Sequence, residues 1–268
     1  MPTQAPHETL LFRMVNEPAT MHGFADRLRH PLDLVNGAAP RRAIKLTYLV
    51  VLGVATVHIT GQITRKSLAP AWCGPDFDDI PSVIRSAIGD PGVRAVVLVV
   101  DSPGGSIRGP SRVLEAIASA RAAGKPVIAH IDGSACGCAY AIAAACDRVY
   151  ASPLAAIGAL TTIVEIVAPP PAPGTPPPML SATFIGVSVE RQRDADLARL
   201  ATLYAEQIAQ ARRVSVETVE QLGEVLGTAE LAQQLGLVDD VIPFEAALDR
   251  VIRGDLPPPR AEGAASAD

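Results

Sequence analysis

Two short stretches carry residue types from which a reaction can be built. The first is Asp101-Ser102-Pro103-Gly104-Gly105, set directly behind the apolar run Arg94–Asp101. Pro103 lacks an N–H and fixes its own φ, and Gly104 and Gly105 let the backbone turn sharply with no Cβ over its amides. Adjacent amides at the C-terminal edge of a parallel sheet can form an oxyanion hole. A plain tight turn between strand and helix explains the same residues equally well. The second stretch is Asp132-Gly133-Ser134-Ala135-Cys136-Gly137-Cys138-Ala139-Tyr140, followed by Ala141-Ile142-Ala143-Ala144-Ala145-Cys146-Asp147. Its small residues predict a strand that turns into a closely packed helix, whose first amides would face a crevice. Close packing alone is the competing explanation.

Within that second stretch, Cys136 and Cys138 are candidate nucleophiles, since a thiolate is favoured at a helix N-terminus when it is exposed. His130, on the adjoining strand, is a candidate base. Against this, cysteine often serves as a small buried hydrophobe, and side chains at successive helical positions point in different directions. A zinc site would need four ligands where only these cysteines and His130 lie near, so no metal and no cofactor is expected. Ser134 reads as a turn or cap residue.

The elements that must position these stretches alternate between apolar strand runs and amphipathic helices, the pattern of a mostly parallel α/β sheet. Val54–Ile59 is predicted as a strand. Asp76 or Asp78 caps a helix bearing Ile80, Val83, Ile84, Ala87 and Ile88 on one face. The continuous apolar run of Arg94–Asp101 suits a strand covered on both faces. A helix runs from Pro110 with Val113, Leu114 and Ile117 as its stripe and stops at Gly124. Pro126–Ile131 and the segment from Arg148 to Ala151 are further strands. A helix from about Asp194 to Arg213 follows, then shorter ones at Ser215–Leu222 and Thr228–Leu235, and a last strand in Gly236–Ile242. Residues 1–42 read as an arm with at most one short helix, 43–252 as the folded domain, and 253–268 as a loose tail. Seven prolines between Pro169 and Pro178 mark an extended loop (168–178) inside the domain.

Composition closes off several classes of function. The 268 residues include 23 Lys and Arg against 28 Asp and Glu, a net charge of −5, and only 4% aromatics. Neither a nucleic-acid footprint nor a base-stacking platform is therefore expected. Four cysteines in a chain of this length do not make a secreted disulfide framework. Leu46–Ile59, the one candidate membrane stretch, is short of the roughly 20 residues a spanning helix needs, is interrupted by Gly53 and His58, and reads better as a buried strand. The first forty residues hold no apolar run of signal-peptide length, so a cytoplasmic protein is the expectation.

Taken together, the two chemical stretches resemble the SppA-type serine peptidases, the family of signal peptide peptidase A and the phage head-maturation protease. The likeness runs from about Ala43 to Ile252 and is carried by VATVHITGQI, by VVLVVDSPGGSI, by GKPVIAHIDGSACGCAYAIAAACDRVYASPLAAIGAL and by the late VETVEQLGEVLGTAELAQQLGLVDDVI. The resemblance implies a Clp/crotonase-type α/β fold of stacked ββα units with a mostly parallel sheet and a C-terminal helical region. It implies a homo-oligomer, phage or prophage encoding as one setting, peptide or protein substrates, and cleavage by a Ser–Lys dyad. Gly104 and Gly105 would supply the oxyanion side. Three residues before Tyr140, where the family carries its serine, stands Gly137, which has no nucleophile. Val189 stands where the lysine base is expected, and no lysine follows Lys125 anywhere in the chain. Arg191 and Arg193 cannot replace it, because guanidinium stays protonated. The resemblance thus implies a peptidase relative that has lost its dyad. The small-residue run with Cys146-Asp147-Arg148-Val149 is also similar to the crotonases, acyl-CoA enzymes in which Gly137 would sit at an oxyanion position. Asp101–Gly105 fits the peptidases better.

Overall fold

The computed structural model describes residues 12–15, 46–63, 75–105, 110–161 and 191–256, with side chains of the long helix described from residue 198 onward. Val189 and the proline-rich loop at 168–178 lie outside the described residues. The chain forms β1 (Phe12–Val15), β2 (Tyr48–Val51), β3 (Val54–Thr60), α1 (Asp79–Gly89), β4 (Ala95–Ser102), α2 (Pro110–Ala122), β5 (Val127–Cys136) and α3 (Gly137–Ala144). After these come β6 (Arg148–Ala151), β7 (Ala156–Gly158), α4 (Arg191–Arg212), α5 (Val216–Glu220), β8 (Leu226–Thr228), α6 (Ala229–Gln234), β9 (Asp240–Val241) and α7 (Phe244–Arg253).

One mixed sheet organises the molecule, in the order β1-β2-β3-β4-β5-β6-β9. β1, β2 and β3 pair antiparallel, while β3 through β6 and β9 run parallel. Strand alternation divides the buried side chains between two layers. Ala55, Val57, Val96, Leu98, Val127 and Ala129 point into the large core beneath α1, α2 and α3. Val54, Val97, Val99, Ile128 and Tyr150 point the other way, into a smaller layer covered by α7. Full burial of each such aliphatic side chain stabilises by about 1.5–3 kcal/mol, so β4, apolar on both faces, anchors the sheet.

Helix starts are capped where local chemistry supplies a hydroxyl. Ser215 and Thr228 accept from the amides of Thr218 and Leu231 at the starts of α5 and α6. Near the start of α1, Asp78 takes the cap position without a side-chain bond, and Asp76 accepts from the amide of Asp78 instead (2.6 Å).

Four expectations are corrected. The arm at 1–42 contributes a strand, β1, paired on β2. Leu46–Ile59 is not one strand but the hairpin β2–β3, reversed at Leu52-Gly53, both at positive φ (48° and 81°), the combination a two-residue hairpin turn needs. β5 does not stop at Ile131: it changes partner, pairing with β6 through Val127–Ile131 and with β7 through Ser134–Cys136, so Ser134 lies in a strand and not in a turn or cap. Finally, the segment between the last strand and the tail forms α7, a helix that covers the second face of the sheet.

Candidate functional site

β4 and β5 end side by side, and their C-terminal ends bring the two chemical stretches together. The register slips between Val100 and Ser102, which lifts the Ser102–Gly105 turn out of the ladder and over the start of α3. Gly104 sits at φ 96°, and a Cβ there would stand 2.8 Å from the Cys136 carbonyl oxygen and 3.7 Å from the Cys138 amide nitrogen. Gly105 forms a bridge with Ile63, and the Ile63 amide donates to the Gly104 carbonyl at 2.8 Å. Any Cβ on Gly105 would overlap the Ile63 carbonyl oxygen. Both glycines are therefore required by close backbone approach.

The acidic and hydroxyl residues of the first stretch also have defined work. Asp101 Oδ1 accepts from the Ser134 amide (2.9 Å) and from its hydroxyl (3.1 Å), tying the end of β4 to β5 across the register slip. Ser102, fully buried, accepts the Gly104 N–H on its Oγ at 3.1 Å. That bond engages the Gly104 amide within its own turn. At the start of α3, Cys136 occupies the cap position and its side chain makes no capping bond.

Gly137 opens α3 at φ 47°, in the left-handed region. Among the described residues, a Cβ placed on it would meet only the Ala159 carbonyl oxygen, at 3.8 Å. Ala159 itself has φ 48°, so two residues with left-handed backbone face each other across this gap. The crevice thus has room for a side chain at 137 and holds none.

The cysteines do not fill the role left open. Cys138 is 3% exposed, packs into the large core, and burial pushes its thiol up to about 12. Burial also raises the Cys136 and Cys146 thiols. A thiolate, which is the reactive form, is disfavoured at all three. His130 is corrected as a base on topological grounds. It points to the opposite face of the sheet from α3, where its Nε2 meets the Ile242 carbonyl oxygen at 3.1 Å and its ring stands edge-on to Phe244. Lys125 sits at the other end of β5, its Nζ donating to the carbonyls of Ile88 (2.6 Å) and Asp90 (2.7 Å). No cluster of three or more His, Cys, Asp or Glu able to hold a metal occurs among the described residues.

Asp147, a sequence anchor, proves structural. It accepts from the Val127 amide (2.8 Å) and pairs with Arg121 (2.6 Å), fixing the start of β5. Tyr140, the other anchor, donates its hydroxyl to the Leu237 carbonyl at 2.6 Å and so ties α3 to the chain entering β9.

Comparison with known proteins gives relatives and structural neighbours. Protease 4 of Salmonella typhi is 28% identical over 215 residues, covering 73% of this chain and 33% of that protein. The head-tail preconnector protein GP5 of Enterobacteria phage P21 is 30% identical over 136 residues, covering 50% of this chain and 26% of the relative. The chain is thus similar to an SppA-type protease and to a phage head protein. It spans only about a third and a quarter of the length of these two relatives. No family model matches it. The solved structures establish the fold alone. A putative enoyl-CoA hydratase/isomerase from Acinetobacter baumannii has a TM-score of 0.52 at 19% identity, covering 80% of this chain and 82% of that one. A mutant of the 1510-N membrane-bound stomatin-specific protease has a TM-score of 0.52 at 20% identity, covering 74% and 82%. These neighbours bear out the Clp/crotonase-type fold. No helix among the described residues is long and apolar enough to cross a membrane.

Proposed function

We propose that this chain is an SppA-type peptidase relative that lacks the Ser–Lys dyad and uses its crevice to hold an extended peptide or protein segment, with no cleavage or very little. The observation that carries the reading is Gly137 itself: a position with open space, beside the Gly104–Gly105 turn and the first amides of α3, and without a nucleophile. The placement of Lys125 and His130 away from the crevice supports it, as do the buried thiols. The phage relative is named a head-tail preconnector protein, which makes an assembly role in a phage or prophage setting one natural context.

The test combines turnover with labelling. Fluorogenic hydrophobic peptides are expected to be hydrolysed at background rate, and a fluorophosphonate to label no serine. Iodoacetamide is expected to leave Cys138 unmodified in the folded protein, and an uncleaved peptide of the same series to change its fluorescence anisotropy on binding. Labelling of a serine by the fluorophosphonate would overturn the reading. Thermal stabilisation by an acyl-CoA would favour the crotonase alternative in its place.

Self-association belongs to the same proposal. Leu154 is 96% exposed, and Val225 and Leu226, at β8, which pairs only with β7 among the described residues, are 56% and 63% exposed. Apolar side chains on an unpaired edge favour contact with another chain. Light scattering is expected to give a mass above that of the 27.9 kDa chain, and a strict monomer at tens of micromolar (~10⁻⁵ M, above ordinary weak affinities) would count against it.

A further inference from the structure

The second face of the sheet carries a buried histidine whose surroundings are built for one protonation state. His130 is fully buried between the sheet and α7. Its Nε2 donates to the Ile242 carbonyl oxygen at 3.1 Å, which fixes the proton on that nitrogen because a carbonyl can only accept. The other ring nitrogen, Nδ1, has no hydrogen-bond partner among the described residues. Phe244, the first residue of α7, stands edge-on to the ring at 5.4 Å and 68°. The imidazole therefore holds both the backbone entering α7 and the first side chain of that helix, while its free nitrogen faces no acceptor. A neutral ring is tolerated there. An imidazolium would bring a second N–H with nothing to receive it, at a cost that only undocking the helix or admitting water relieves.

We propose that α7 is an acid-released clasp, with His130 as the group whose protonation frees it from the sheet. What release uncovers is the apolar layer of Val54, Val97, Ile128 and Tyr150. The charged neighbours act in both directions. Asp132 on β5 and Glu245 on α7 favour the protonated ring, but burial outweighs them, so the imidazole titrates below its ordinary value. Tyr150 faces the same layer, with the Arg250 guanidinium 5.8 Å over its ring, and His58 on β3, also lowered by burial, feels Asp132 as well. Docking strength is therefore full above the ordinary imidazole pKa of about 6.5 and is lost as pH falls below it. Arg250 with Asp240 (2.6 Å) and Arg94 with the Ile252 carbonyl also tie α7 to its surroundings.

Hydrogen exchange of the full chain tests this, read by mass spectrometry on peptides covering 244–253 and corrected for the intrinsic pH dependence of exchange. Protection of α7 is expected to fall between pH 7.5 and 5.5 by up to about tenfold per pH unit, the limit for one proton, while β4 stays protected. In both His130→Leu and His130→Gln the fall should vanish, and in His58→Gln it should persist. Protection that is independent of pH in the unmodified chain overturns the proposal. So does a fall that survives in both His130 variants, or one that disappears in His58→Gln.

Discussion

Arg212→Ala is expected to lower the free energy of unfolding by about 3–5 kcal/mol, the range for breaking a buried ion pair by removing one partner. The side chain of Arg212 is 1% exposed at the end of α4, and its Nη1 donates to Asp239 Oδ2 at 3.0 Å. Nε and Nη2 of the same guanidinium both donate to the Gly236 carbonyl, at 3.2 and 3.0 Å. Asp239 Oδ2 also accepts from the Val149 amide at 2.7 Å, and the Asp239 amide donates back to Val149 O. One guanidinium thus joins α4, the turn after α6 and the start of β6, and its loss takes a charged partner from the largely buried carboxylate of Asp239. Arg212→Lys should be nearly as harmful, because an ammonium cannot span the carboxylate and the carbonyl as the planar fork does. Arg212→Met combined with Asp239→Asn is expected to recover part of the loss, since the uncompensated charge is then gone. Urea unfolding with an unchanged m-value checks all three. A change below about 1 kcal/mol in Arg212→Ala would mean that this pair behaves as an exposed one.

That pair also marks where the sequence stops being legible. The parts read correctly from sequence are those fixed by local pattern. Ile80, Val83, Ile84 and Ala87 recur at helical spacing and are all buried on α1. β4 is apolar without alternation and is covered on both faces. Gly236, at φ 73°, ends the turn after α6. The errors occur where a distant partner overrides a local preference. Asp132-Gly133-Ser134 has turn composition, yet Asp101 from β4 holds it in a strand. Leu52 is a poor residue for positive φ, and only the pairing of β2 with β3 places it there. His130 is one residue away from the face of Ala129 and Ile131, and a period of two assigns it to the layer beneath α7 and away from the crevice. In the crevice itself, the meeting of Gly104 with Cys136 and Cys138 was legible through the resemblance. The diversion of the Gly104 amide onto Ser102 was not, because it depends on the rotamer of a buried hydroxyl.

Gly137→Ser alone is expected to leave peptide hydrolysis at background, whereas Gly137→Ser with Val189→Lys should raise it by at least about 10²-fold, the lower end of what a positioned general base contributes. Space is not the obstacle, since the nearest atom to a Cβ at 137 is the Ala159 carbonyl oxygen at 3.8 Å. The backbone is a modest one: φ is 47°, and an L-residue in that region costs about 1–2 kcal/mol. Gly137→Ala isolates that cost, and should show the same loss of stability as Gly137→Ser with no activity. Chemistry is the larger barrier. A serine hydroxyl is a weak nucleophile until a base takes its proton, and the nearest described candidates are turned elsewhere, Lys125 onto the carbonyls of Ile88 and Asp90 and His130 into the layer under α7. Position 189 is the place for a base implied by the family resemblance, and a lysine there acts only when deprotonated. Activity of the double variant should therefore climb as pH rises above neutrality, and climb earlier the more the new ammonium is buried. Equal activity above background in the single and double variants would reveal a base already standing in the crevice, and the reading of a lost dyad would fall with it.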